Sequence, residues 1–136
     1  MQGSQLISQL SRVMRAIMAE AQPELERHNL SVRSFFVLLK IEEFPYPAQL
    51  AEQLLLPAPT ISLHLRELEQ LNYIKRELDE KDLRRYRIAL TEEGQKALNV
   101  IQASIDMIVS QKCRSLSKSD QKDLEQIVGM LEKGLN

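Results

Sequence analysis

Four basic side chains crowd a short polar segment that lies between two stretches of alternating apolar residues. They are Lys81, Arg84, Arg85 and Arg87. An arginine at the tip of a β-hairpin is able to enter the minor groove of duplex DNA while neighbouring cations contact phosphates. Asp79 and Asp82 would repel DNA unless they hold Arg84 in an extended pose by ion pairing. The alternative is a solvated hairpin with ordinary surface ion pairs.

A second candidate surface is a short helix predicted from about Thr60 to Leu71. At about 100° per residue, Ile61, Leu65 and Leu68 fall on one side and are expected to face the core. The opposite side carries Pro59, Leu63, Arg66 and Gln70, with Thr60, Ser62 and Glu67 on the flanks. A recognition helix reads bases with its exposed N-terminal residues. The candidates for base contact are therefore Pro59, Thr60, Ser62, Leu63 and Arg66.

Two residues of this helix allow more than one interpretation. Leu63 is aliphatic on the outer face, where it would either contact thymine methyls in a major groove or be an ordinary exposed leucine. His64 lies about 60° from the centre of the apolar face. We therefore favour a half-buried packing role for His64 over base contact.

The elements that position these residues follow from the apolar periods of the sequence. A helical stripe runs from Leu6 to Ala21, and Pro23 is expected to interrupt it. The further elements are a nearly all-apolar helix capped by Ser31 that runs to about Glu43, a short helix over 48–55, the helix over 60–71, strands at 73–77 and 85–90, and two long helices capped by Thr91 and Ser117. The spacing of the two short helices is that of a helix-turn-helix.

The predicted fold is therefore mainly α with a small β-hairpin wing, an α+β winged helix-turn-helix. The whole of 1–136 forms one domain, with the winged lobe at 31–90 and terminal helices at 1–30 and 91–136. These terminal helices carry more apolar surface than the small winged lobe is able to cover.

Composition restricts the function further. Over 136 residues the chain is 43% hydrophobic and 27% charged, with a formal net charge of -1, so bulk attraction to DNA is weak. A single cysteine, two histidines, no apolar run of membrane-spanning length and no catalytic constellation favour a cytoplasmic non-enzyme that needs no metal and no cofactor and does not enter a membrane. Cys113 lies between Lys112 and Arg114, two cations of the kind found beside reactive cysteines, but an unreactive cysteine is the favoured interpretation.

One segment carries a fairly specific resemblance. From Asp82 to Gly94 the residues match the wing signature D-x-R…V-x-L-T-x-x-G of MarR-type regulators at Asp82, Arg84, Ile88, Leu90, Thr91 and Gly94. Residues 50–54 and 60–69 resemble the helix-turn-helix of that family, and Leu116 with Ser117 resembles the start of its last helix. Leu63, where relatives commonly have arginine, and Pro57-Ala58-Pro59 depart from the family pattern.

The resemblance implies a sequence-specific transcription regulator, most often a repressor. It would be a homodimer with intertwined terminal helices on a pseudo-palindromic operator, with Arg84 as the wing-tip arginine and Asp82 as its acidic partner. The family often binds small aromatic or phenolic effectors between the dimer helices and the DNA-binding lobe, which points to Met14, Met18, His28, Arg33 and Phe36. A winged helix used only for protein–protein contact, such as an antirepressor, is the alternative.

Overall fold

The computed structural model describes residues 1–135 and contains, within them, six α-helices and one β-hairpin. The helices are α1 (Gly3–Arg27), α2 (Val32–Lys40), α3 (Pro47–Leu54), α4 (Ala58–Gln70), α5 (Glu92–Lys112) and α6 (Lys118–Lys133), and the strands are β1 (Ile74–Leu78) and β2 (Tyr86–Leu90). The order and type of the elements confirm the predicted winged helix-turn-helix fold. The hairpin between α4 and α5 is the wing.

Side chains cap three of the helices where the sequence predicts it. The hydroxyls of Ser31, Thr91 and Ser117 each accept a hydrogen bond from the backbone amide three residues on, at 3.1, 3.0 and 3.0 Å. The carboxylate of Asp120 accepts from the amide of Ser117 in return and completes a capping box. Each cap satisfies an amide that has no partner within its helix, which fixes where the helix begins.

Helix α1 is continuous, so the predicted interruption at Pro23 is wrong. A proline leaves the carbonyl four residues earlier without its helical donor. That carbonyl belongs to Ala19, and Ala19 and Pro23 are both exposed, so water is able to hydrate it. On the other side of the helix, Ala21 and Leu25 are fully buried. Their burial holds both sides of the proline to the core, because packing contributes more to helix stability than propensity does.

Helix α2 is the centre of the core, as its apolar sequence predicts. It contacts α1, α3, α4 and α5, although it ends at Lys40 and the residues up to Glu43 form a turn instead of a last helical turn. The fully buried side chains around it come from every helix except α6 and from the wing, and they include Leu25, Val37, Leu38, Ile41, Leu50, Ile61, Leu68, Ile88 and Ile101. The core is aliphatic, in keeping with the low aromatic content.

Helices α3 and α4 form the predicted helix-turn-helix. Between them Leu55 adopts a left-handed conformation with φ 54° and ends α3. Helix α4 begins at Ala58, two residues before the expected start, because Pro57 serves as its N-cap residue and proline is well suited to the first positions of a helix. Ile61, Leu65 and Leu68 are 0 to 2% exposed, which confirms the predicted inner face.

The T-x-x-G motif at the end of the wing is explained by the close approach of the start of α5 to the backbone of Tyr73. Tyr73 precedes β1, and its backbone carbonyl accepts a hydrogen bond of 3.0 Å from the amide of Thr91. A Cβ at position 94 would overlap that same carbonyl group, so only glycine allows the start of α5 to lie against the start of the wing. Thr91 therefore caps the helix and Gly94 lets it pack.

Candidate nucleic-acid interface

The tip of the wing presents Arg84 to solvent with its backbone and side chain both held by Asp82. The Arg84 Nε donates to Asp82 Oδ1 at 3.2 Å, and the Arg84 amide donates to the same oxygen at 3.0 Å. The side chain of Arg84 is nevertheless 92% exposed. The hydrogen bond from the Arg84 side chain, and then that from its amide, hold the pKa of Asp82 below its ordinary value. The predicted ion pair between these two residues is present.

Asp79 does not hold Arg84, so that part of the expectation is wrong. Its carboxylate accepts from the Tyr46 hydroxyl at 2.8 Å, from the Lys81 amide at 2.9 Å and from Arg85 Nε at 3.0 Å. Only 5% of Asp79 is exposed. The bond from the Lys81 amide, followed by that from Tyr46, lowers the pKa of Asp79, while burial opposes the shift. Asp79 therefore attaches the wing to the loop before α3.

Arg85 belongs to the same cluster. Its guanidinium carbon lies 3.6 Å from the centre of the Tyr46 ring, so the cation stacks on the aromatic face while it pairs with Asp79. Tyr46 precedes Asp79 by 33 residues, and no local pattern in the sequence links the two. About half of the Arg85 side chain (51%) stays exposed, so a phosphate contact by Arg85 remains a prediction.

Two further contacts join the wing to the loop before α3 and to α4. The amide of Ile88 in β2 donates to the carbonyl of Pro45 at 2.7 Å. On β1, Arg76 pairs with Glu69 near the end of α4 and also contacts Tyr86 of β2. Sequence analysis missed Arg76, because its partner lies on a different element. With the Asp79 cluster, these bonds fix the wing to both helices of the helix-turn-helix region.

The remaining predicted cations of the wing lie on its surface. The side chains of Lys81 and Arg87 are both exposed. Arg87 stands opposite Glu77 in the antiparallel register, so the two opposite charges are cross-strand neighbours. Lys81 is at the tip beside Arg84, where a cation is free to approach phosphates.

The outer face of α4 is open as the helical wheel predicts. Pro59, Ser62, Leu63 and Arg66 are exposed, and Thr60 is half-buried at the edge. His64 is 8% exposed and packs into the lobe, with its Nδ1 3.1 Å from Glu67 Oε2. The expected packing role of His64 is therefore confirmed in geometry. Both candidate elements are accessible, and Arg76 links them.

An apolar cavity of about 310 Å³ lies where α2 meets α1 and α5. It is lined by Met14, Ile17, Met18, Phe35, Phe36, Leu39, Gln102, Ile105, Asp106 and Val109. Three of the five residues expected to bind an effector, namely Met14, Met18 and Phe36, are among them. His28 instead lies at the end of α1, where its carbonyl accepts from the Tyr73 hydroxyl, and Arg33 is exposed on α2 outside the cavity.

Other kinds of site find little support in the part of the chain that the structure describes. Among residues 1–135 there is no group of three or more side chains able to hold a metal ion. None of the helices in that range has the length and apolar character to cross a membrane. Cys113 is half-buried where α5 ends.

Comparison with known proteins identifies the family. A sequence profile described as transcriptional regulator SarA/Rot matches residues 21–101, more than half of the chain. The chain belongs to the SarA/Rot family of transcriptional regulators. The matched range runs from the buried half of α1 into α5, so it contains the whole helix-turn-helix and wing of this SarA/Rot member.

Individual relatives agree with this assignment. SarZ of Staphylococcus epidermidis is 34% identical over 79 residues, which are 57% of this chain and 53% of SarZ, so the match spans about half the length of that relative. PecS of Dickeya dadantii is 30% identical over 139 aligned positions, covering 96% of this chain and 81% of PecS. The crystal structure of MarR superposes with a TM-score of 0.83 at 25% identity, covering 96% of this chain and 90% of MarR. The SarA/Rot chain therefore has the MarR-type fold that its wing motif predicts.

The Asp79 cluster predicts that acid loosens the wing of this SarA/Rot chain. Because the pKa of Asp79 is lower in the folded protein, the stability that the carboxylate contributes is complete above the unfolded value of about 4 and is lost as the pH falls through the folded pKa. We expect amide protection factors in β1 and β2, measured by hydrogen exchange, to fall between about pH 6 and about pH 3. Asp79→Asn should show low protection at both values, whereas Glu80→Gln at the same tip should behave as the wild type. Equal wing protection in Asp79→Asn and wild type at the higher pH would contradict the attachment.

Proposed function

We propose that this chain is a homodimeric regulator that binds a pseudo-palindromic site in duplex DNA through residues 31–90 and acts as a repressor. The main support for the proposal is that two exposed elements, the wing tip and the outer face of α4, are held in one lobe. Arg84 is 92% exposed at the wing tip, and the outer face of α4 in the same lobe is open. The bonds of Asp79 and Arg76 set the separation of the two elements. This geometry suits a helix in a major groove with an arginine in the neighbouring minor groove.

Local cations, rather than net charge, supply the attraction to DNA. The chain has a formal net charge of -1, so its long-range field does not favour a polyanion. The exposed cations that face outward from the two elements are Arg66, Lys81, Arg84 and Arg87. Each cation that neutralises a phosphate releases condensed counterions, so binding weakens as the salt concentration rises.

Two unpartnered apolar faces favour a second copy of the chain as the partner. In α6, Leu124, Ile127, Val128 and Leu131 are 46 to 61% exposed and lie on one helical face. In the first half of α1, the exposed apolar residues are Leu6, Ile7, Leu10, Val13 and Met14. Both faces belong to the terminal helices, and α4 and the wing lie between them in the sequence. Pairing them across a two-fold axis buries them and presents two winged lobes to one duplex.

The apolar cavity supports an effector site that couples to DNA binding. Its walls come from α1 and α5 on one side and from α2 on the other, so a ligand there would separate the terminal helices from the DNA-binding lobe. Gln102 and Asp106 supply its polar groups, and none of its ten lining residues is basic. A neutral phenol suits this lining, because its hydroxyl is able to donate to Asp106, whereas a carboxylate would be repelled. A ligand that prefers one spacing of the lobes shifts the population toward it.

The wing contact is tested by Arg84→Ala. Selection from random duplexes first supplies the preferred site, and affinity is then measured against salt concentration. We expect the variant to bind about tenfold or more weakly, and the slope of log affinity against log salt to fall by about one. Lys96→Ala, at an exposed cation of α5 that belongs to neither the wing nor α4, is the matched control and should bind as the wild type does. Unchanged affinity of Arg84→Ala would exclude the wing role, and salt-sensitive binding to no sequence at all would favour a protein–protein module.

The two-fold assembly is tested by Ile127→Glu. A charge on the apolar face of α6 should split the dimer into protomers without unfolding them, because Ile127 is 55% exposed within one protomer. Sedimentation velocity over a range of concentrations measures the change. Leu78→Glu, at a leucine of β1 that is 70% exposed, should leave the dimer intact. A wild-type chain that stays monomeric at every concentration would rule out this assembly.

The effector site is tested by filling the cavity. Simple phenols, titrated against the protein–DNA complex, should weaken DNA binding of the wild type. Ile105→Phe places a ring in the cavity and should bind DNA without responding to phenols, because the site is occupied. Val100→Phe lies on the same helix outside the lining and should respond as the wild type does. An Ile105→Phe protein that still responds fully would place the effector elsewhere.

A further inference from the structure

Leu63 is an aliphatic side chain on the outer face of α4, and polar residues lie at the edges of that face. It is 46% exposed. Neither the buried core nor the half-buried side chains packed against it, as the structure describes them over residues 1–135, include Leu63. Its neighbours along the helix face are Pro59, Arg66 and Glu67, and all three are exposed. Leu63 therefore makes no evident contribution to the stability of the lobe.

The first half of α4 carries no cation with which to read guanine. Arginine and lysine recognise the O6 and N7 of guanine in the major groove. Within α4, Arg66 is the sole basic residue apart from the buried His64, and it lies beyond the first two turns. Before it, Pro59, Ser62 and Leu63 are exposed and Thr60 is half-buried at the edge, and these side chains offer hydroxyls and apolar surface. Base reading by this part of the helix must then use hydroxyl hydrogen bonds and apolar contact.

We propose that Leu63 is a specificity-determining residue that packs against the C5 methyl of a thymine in each half-site. The inference rests on the proposed function, because it requires α4 to lie in a major groove. Leu63 is on the opposite side of the helix from Ile61 and Leu65, so a helix inserted with its inner face toward the lobe directs Leu63 at the base edges. The C5 methyl of thymine is the apolar group displayed there. Contact between the Leu63 side chain and the thymine methyl removes both apolar groups from water. The amino group of cytosine or adenine would instead lose its hydrogen bonds to water if it lay against a leucine.

Replacement of thymine by uracil tests this contact most directly, because uracil lacks the C5 methyl and keeps the same hydrogen-bonding groups. Starting from the duplex that wild-type protein selects, each thymine is replaced in turn and the affinity is measured. At one thymine position of each half-site, we expect replacement in a single half-site to weaken binding about fourfold and replacement in both to weaken it about fifteenfold. These factors correspond to the loss of one and of two buried methyl-sized groups. Leu63→Ala should bind the thymine duplex more weakly and show no difference between thymine and uracil at that position.

Two further variants sharpen the result. Leu78→Ala removes another exposed leucine, on the wing, and should keep the full difference between thymine and uracil. Leu63→Arg should change the base selected at that position from thymine to guanine. Wild-type binding that is equal for thymine and uracil at every position overturns the inference alone, as does a Leu63→Ala protein that keeps the wild-type difference. Failure of the wild type to bind any selected duplex overturns the proposed function and this inference with it.

Discussion

The carboxylate of Asp79 accepts hydrogen bonds from three parts of the chain, namely the wing-tip backbone, the loop before α3 and Arg85, the residue before β2. A carboxylate that is 5% exposed loses much of its hydration and is costly to leave unpaired, and these three donors stabilise its charged form. A two-stranded hairpin alone is marginally stable in water. This cluster and the neighbouring backbone bond from Ile88 to Pro45 attach the wing to the loop before α3, while the pair of Arg76 with Glu69 attaches it to α4. The position of Arg84 thus depends on a group that does not touch it.

Local periodicity predicted most of the fold, because apolar spacing, hydroxyl caps and hairpin alternation are properties of neighbouring residues. The inner face of α4 and the caps at Ser31, Thr91 and Ser117 follow from residues within one or two helical turns. What the sequence did not reveal depends on distant partners. Asp79 pairs with Arg85 and Tyr46 rather than Arg84, and Arg76 pairs with Glu69 on another element. The continuity of α1 through Pro23 depends on burial of the opposite side of the helix. The sequence analysis placed His28 and Arg33 in the effector site, but both lie outside the cavity. Position along the chain does not show which side chains line a cavity between helices.

In the proposed mode of DNA binding, the two candidate surfaces divide affinity from specificity. The wing carries exposed cations, which attract phosphates of any sequence and respond strongly to salt. The first half of α4 carries hydroxyls and a leucine, which contribute little at long range and depend on the bases they meet. A chain with a net charge of -1 is thereby kept from binding polyanions indiscriminately, while its local cations remain available. The apolar ends of the chain take no part in either surface.

Helix α1 extends over 25 residues, or about 37 Å, and its two halves have different surroundings. Met18, Ala21 and Leu25 anchor its second half in the core, whereas the apolar residues of its first half are exposed. In the proposed dimer, one continuous helix thus runs from the contact between the two copies into each lobe. In such a dimer, the length of α1 would limit how far the distance between the two α4 helices is able to change. Each base pair inserted between half-sites would shift one of them by about 3.4 Å and turn it by about 35°, and a stiff helix has no means of following such a screw motion.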